Sequence, residues 1–157
     1  MIVVATLAAW LALAVVFAAA VVDIVRYEIP DTASIVVLAL AVVFGLATPG
    51  FAWFAHGGGA VAMFVFGLLA FARGWLGGGD VKLMTAIAAW TGIAGLPLMF
   101  VAVSVAGGAL ALTYAVGRRA IPRAADAVAV TDLPYAVAIA IGTVWWAWAT
   151  GAPFIGH

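Results

Sequence analysis

Long apolar runs, broken by short polar or glycine-rich stretches, set the plan of this chain. A membrane-spanning helix needs about 20 mostly apolar residues, with a range of roughly 17 to 25. The first run extends from about Ile2 to Val22 and meets the polar stretch Asp23-Ile24-Val25-Arg26-Tyr27-Glu28-Ile29-Pro30-Asp31. The second, about Thr32 to Thr48, is closed by Pro49-Gly50, and the third, about Gly58 to Ala72, by Arg73. A glycine-rich loop from Gly74 to Lys82 leads into a short fourth run, about Val81 to Leu96, where Gly92, Gly95 and Pro97 mark a turn. The fifth is about Leu98 to Val116, and a polar loop follows from Gly117 to Asp132. The sixth, about Pro134 to Ala149, ends among Trp145, Trp146 and Trp148. The expected fold is all-α: a polytopic membrane bundle of about six transmembrane helices, forming a single domain over residues 1–157.

Apolar runs alone would allow the fourth and fifth segments to merge. Charge placement argues against this. With six spans, one membrane face carries no Lys, Arg, Asp or Glu, while the other carries Arg26, Arg73, Lys82, Arg118, Arg119, Arg123 and all six acidic residues. Merging two helices would place the last three arginines on the opposite side from the rest. Basic residues of short loops stay cytoplasmic, so the consistent solution has six spans, both termini outside the cytoplasm and the charged loops inside. Trp53, Trp145, Trp146 and Trp148 then fit an interfacial belt on the far side. The apolar N-terminus has no preceding Lys or Arg and is longer than a usual signal core, so it reads as a retained span.

Composition agrees. The chain is 69% hydrophobic and 8% charged, against roughly 25% charge in average soluble proteins. A soluble domain of this size buries only about two-thirds of its unfolded surface, so lipid must solvate the remainder. Formal net charge is zero, and nothing points to nucleic acid. The absence of cysteine removes disulfides, thiolate metal sites and cysteine nucleophiles. Ser34 and Ser104 sit among Ala, Ile and Val, without the glycine surroundings that expose a nucleophile. His56 and His157 stand apart, with no HExxH pattern, so no metal site and no cofactor is expected.

The carboxylates remain. Asp23 follows the first apolar run and Asp80 precedes the fourth, so both belong at one membrane border. Ionisable groups there are a functional hypothesis by default. Two carboxylates at one depth can share a proton. The ionised member then takes a proton from water while the protonated member polarises a peptide carbonyl. The structural alternative pairs Asp23 with Arg26 and makes Asp80 the N-cap of the fourth helix. A glycine run delivering an aspartate to a helix start exceeds what a linker needs, because glycine allows close approach of another chain.

Gly77-Gly78-Gly79-Asp80-Val81-Lys82-Leu83-Met84 matches the extended GxGD motif, GxGDxKL. Asp23 through Asp31 is similar to a second block, an Asp followed by a basic residue and Ile-Pro-Asn, and Leu133 through Ala140 resembles a last helix. Together these resemble the type IV prepilin peptidases, in the short form that serves tight-adherence (Flp-type) pili. The resemblance implies an aspartic endopeptidase of the inner (cytoplasmic) membrane. Its active site would face the cytoplasm and cut the leader from a prepilin or pilin-like precursor. Asp23 and Asp80 would be the catalytic pair, with Gly77, Gly79 and Lys82 as candidate substrate contacts. Asp31 stands where Asn is usual and Glu28 where a basic residue is frequent. The resemblance is to the short members without a cysteine-bearing cytoplasmic domain, and methylation of the new N-terminus is not expected. Glu28, Asp31, Asp126 and Asp132 either attract a basic leader or pair locally with the arginines. Lys82 either tunes the dyad or snorkels to the interface. From another class, a small transporter using Asp23 and Asp80 as ion or proton ligands is the alternative.

Overall fold

The computed structural model describes residues 1–120 and 133–151. Its described residues are helical, with no strand. The helices are α1 (Ile2–Arg26), α2 (Asp31–Ala47), α3 (Trp53–Ala72), α4 (Gly78–Ala120) and α5 (Tyr135–Thr150). α1, α3 and α4 are long and apolar enough to cross a membrane, while α2 and α5 are apolar but shorter. Large apolar side chains stay on the outer surface along every helix, among them Leu7, Ile35, Leu69, Val101 and Val144. That pattern suits a lipid-facing exterior.

α1 continues one turn past the expected end. Ile24 and Val25 are still apolar, and the helix closes only where Tyr27 turns left-handed (φ 53°) and its N–H bonds to the Asp23 carbonyl. Asp23 therefore sits inside the last turn of α1. α3 starts at Trp53, five residues ahead of the expected Gly58, because Trp53 to Gly57 extend the helix despite the glycines that follow.

α4 contains one non-helical residue, Gly92, with φ 64° and ψ 175°. This backbone region is essentially open to glycine alone. The chain reverses there. Met84 and Ser104 line one cavity of about 180 Å³, yet in a straight helix they would lie about 30 Å apart at 1.5 Å per residue. α4 is thus a hairpin with arms 78–91 and 93–120. The expected turn falls at Gly92, and the helix runs on through Gly95 and Pro97. Pro97 is the fifth residue of the second arm, so its missing N–H removes only the arm's first i→i−4 bond, to the Ile93 carbonyl.

Both α3 and α5 pack chiefly on α4, and α2 lies between α1 and α4. Alanine and glycine carry much of the core, including Ala8, Ala9, Ala12, Ala88 and Ala140, which lets helices approach closely. Trp146 is buried, so it leaves the expected interfacial belt and joins this core. Trp53, Trp145 and Trp148 remain on the surface.

Candidate active site

Asp23 and Asp80 meet at one end of the bundle. They line a single cavity of about 380 Å³, whose wall comes from the 27–31 turn, the 77–79 glycines and the start of α5. Asp23 is buried (5% exposed), and Asp80 is half-buried.

Each carboxylate is held by one backbone N–H. The Oδ2 of Asp23 accepts from the Ala136 N–H at 2.9 Å. Ala136 lies in the first turn of α5, whose N-cap is Pro134 with no side-chain cap of its own. A first-turn N–H has no partner within its helix, so Asp23 caps α5 from across the bundle and ties α1 to it. The Oδ2 of Asp80 accepts from the Gly77 N–H at 3.1 Å. Gly77 precedes the first residue of α4, and Asp80 is the third residue in. The contact is the reach-back half of a capping box.

The glycines differ in what they do. A Cβ on Gly77 would lie 2.9 Å from the Asp80 carboxylate, and one on Gly79 would lie 3.0 Å from the Ile29 Cβ, whereas Gly78 has only Phe71 at 3.7 Å. Gly77 makes room for the acid, and Gly79 lets the turn after α1 close on the start of α4. All three line the cavity.

Neither structural alternative of the sequence takes the form expected. Asp80 is not the N-cap residue, a position held by Gly77, but reaches back from the third residue of α4 to the Gly77 N–H. Asp23 makes no ion pair with Arg26, and the ion pair among the described residues joins the Nζ of Lys82 to the Oδ1 of Asp31 at 2.7 Å. Asp31 takes Lys82 rather than an arginine as its partner. Lys82 lies outside the wall of the Asp23–Asp80 cavity and faces a neighbouring groove. Glu28 lines the cavity and is exposed. Arg123, Asp126, Asp132 and His157 lie outside the described residues.

Sequence reasoning passed over Tyr27 and Tyr135 as cavity walls. Tyr135 is the first residue of α5. Nothing in its local pattern signals that α5 would bring it to Asp80. Its ring is admitted by Gly107, whose Cβ would lie 3.1 Å from it.

Neither a curated protein nor a solved structure matches the chain. A family model, the type IV leader peptidase family, matches residues 10–112. That is about two-thirds of the chain; it spans Asp23 and Asp80 and ends before the stretch from Leu133 to Ala140. The all-helical, lipid-suited bundle and this match establish that the chain is a membrane peptidase belonging to the type IV leader peptidase family.

Proposed function

We propose that this chain is an aspartic endopeptidase that removes the basic leader of an Flp-type prepilin or pilin-like precursor at the cytoplasmic border of the inner membrane. The observation that carries the reading is the single cavity lined by both Asp23 and Asp80, each anchored through one oxygen by a backbone N–H. The acidic wall, which also holds Glu28 and Asp31, suits a leader rich in Lys and Arg.

The chemistry follows from two carboxyl groups sharing one proton. The ionised carboxylate takes a proton from water as the water oxygen bonds to the peptide carbonyl carbon. The protonated partner gives its proton to the carbonyl oxygen. In the collapse of the tetrahedral intermediate the C–N bond breaks. The newly formed carboxylic acid protonates the leaving amine, and the other carboxylate recovers a proton from the intermediate's hydroxyl.

Asn substitution separates chemistry from capping. An Asn side-chain oxygen still accepts the N–H of Ala136 or Gly77, but the group no longer ionises. Asp23→Asn and Asp80→Asn should each lower cleavage of a synthetic precursor by at least about 10²-fold while thermal stability in detergent stays near wild type. A purified Asp80→Asn variant cutting at the wild-type rate would return the pair to a structural or ion-binding role.

The same reading takes six membrane crossings, two of them the arms of α4. The hairpin at Gly92 supports it, since Gly107 of the second arm lies against Tyr135 at the Asp80 end. Arg118 and Arg119 would then emerge on the same side as Arg26, Arg73 and Lys82, as basic loops require. In intact cells, cysteines replacing Glu28 and Gly78 should resist an impermeant thiol reagent, and one replacing Ala52 should react. Labelling at position 78 would invert or break this topology.

A further inference from the structure

Two helices of this chain close in the same left-handed way with different residues. α5 ends at Gly151, with φ 60° and ψ 31°, and α1 ends at Tyr27, with φ 53° and ψ 35°. Glycine is the usual choice for such a cap, because it has no Cβ to crowd the neighbouring carbonyl. A bulky side chain in this region is an outlier. Among the described residues the other positions with positive φ, Gly50, Gly74, Gly92 and Gly151, are all glycines. The backbone task at Tyr27 is to end α1 and give an N–H to the Asp23 carbonyl at 2.8 Å. A glycine would do that as well, so the cap does not account for the tyrosine.

Packing does not account for it either. Tyr27 is 48% exposed and belongs neither to the buried core nor to the partly buried residues packed on it. Among the described residues its hydroxyl makes no hydrogen bond and its ring stacks on no other ring. Tyr135, in the same cavity wall, is the contrast. Its ring packs on the core and lies against Gly107, so the fold itself has a use for it. A tyrosine at a membrane border also serves as an interfacial anchor. An anchor, however, works from any lipid-facing position of the border and needs no left-handed backbone. Tyr27 instead lines the cavity shared by Asp23, one helical turn before it, and Asp80. Unfavourable backbone beside reacting groups, explained by neither cap nor core, is a mark of function.

We propose that Tyr27 contacts the substrate: its ring is the wall against which the peptide lies while the scissile bond meets Asp23 and Asp80. This rests on the peptidase reading above and adds to it a residue that positions the peptide. The left-handed turn ends α1 within one turn of Asp23, so one short piece of backbone carries both the ring and the acid. A peptide pressed on the ring is thereby held in register with the carboxylate. Such placement matters, because a misplacement of about 1 Å can cost about 10² in rate.

The test uses the full chain in lipid nanodiscs and a synthetic precursor peptide. Benzoylphenylalanine, a side chain similar to tyrosine, replaces Tyr27 or, as the control, Val25, which is 72% exposed and off the cavity wall. Both probes are built on Asp80→Asn so that the peptide stays intact. Peptide should cross-link from position 27 and not from 25. On the active chain, Tyr27→Asn supplies a residue that accepts the left-handed turn and removes the ring. It should lower kcat/KM about tenfold, the size of one lost aromatic contact, without lowering the melting temperature. Tyr27→Phe keeps the ring and should stay within about twofold of wild type. Cross-linking from 25 rather than 27, cross-linking from 27 to lipid alone, wild-type cleavage by Tyr27→Asn, or a loss in that variant matched by a fall in its melting temperature would overturn the proposal, while wild-type cleavage leaves the peptidase reading intact. A loss in Tyr27→Phe as large as in Tyr27→Asn would overturn the assignment to the ring. A wild-type chain that fails to cut the peptide sinks both.

Discussion

The first arm of α4 ends in irregular, glycine-dependent backbone on both sides, and the two ends are finished in opposite ways. At Gly92 the backbone leaves helical geometry, and protein takes up a polar group beside the break: the Nδ1 of His56 donates to the Ala89 carbonyl at 2.9 Å, while its ring lies against Phe51 with centroids 4.1 Å apart. At the Asp80 end the glycines bring polar groups together as well, but the carboxylates of Asp23 and Asp80 face an open cavity. In lipid, backbone irregularity survives where protein satisfies it or where it lines a cavity. The Gly92 end takes the first solution and the Asp80 end the second. A polar group absorbed by its neighbours is architecture; a pair of acids each held by one oxygen and left facing a cavity is, on the proposed reading, equipment for a reaction.

The largest effects that would test this contrast, beyond loss of the acids themselves, belong to Gly77. Its N–H holds Asp80, and a Cβ there would lie 2.9 Å from the carboxylate. Gly77→Ala should push Asp80 out of place, and a displacement near 1 Å can cost about 10² in rate. Gly78→Ala, with open space around it, should keep most activity. The pair is scored by peptide cleavage at matched protein levels. Equal activity in both would mean that the glycines serve only to flex the loop.

At the other end the expected losses are in stability. Gly92→Ala places a side chain at φ 64°, ψ 175°, where strain costs on the order of 1–3 kcal/mol or more, although the space beside His56 is adequate. His56→Phe keeps the ring against Phe51 and removes the hydrogen bond to the Ala89 carbonyl, a loss of about 0.5–2 kcal/mol. Both variants should unfold earlier in a detergent thermal scan. The His56 variant that remains folded should cleave with unchanged KM. A KM shift there would mean that the two ends are coupled.

Much of the cavity was legible in the sequence because its chemistry is local. Asp23 closes an apolar run, Asp80 follows a glycine triplet, and both boundary positions are visible without any tertiary contact. The hairpin in α4 was legible too, though as a zone. Gly92, Gly95 and Pro97 all weaken a helix, and only packing against His56 and Gly59 selects Gly92 as the break. What stayed hidden depends on distant packing. Asp23 caps α5 from 113 residues away, and Tyr135 reaches the cavity because α5 docks on α4. Trp146 and Trp148 are two positions apart at the end of one helix, and sequence alone placed both in the belt. The bundle buries the first and leaves the second outside.

The smallest expected effect concerns the ion pair found beside the cavity among the described residues. Lys82 stands two residues after Asp80 and was a candidate for holding substrate. Instead its ammonium reaches Asp31 at 2.7 Å, with the two side chains 51% and 65% exposed. Exposed pairs of this kind contribute about 0–1 kcal/mol, because water already solvates both charges and two flexible side chains must be ordered. Lys82→Met keeps the aliphatic stem against the groove and removes the charge. It should therefore change thermal stability by at most about 1 kcal/mol and leave kcat within about twofold, since no proton transfer in the proposed reaction passes through it. Repeating the assay at higher salt separates the remaining roles. An exposed ion pair weakens as salt screens it, so the wild type should drift toward the variant. A tenfold loss of kcat in Lys82→Met, persistent at high salt, would instead make Lys82 part of the machinery around the two acids, and the boundary drawn here between the cavity and its neighbouring groove would have to move.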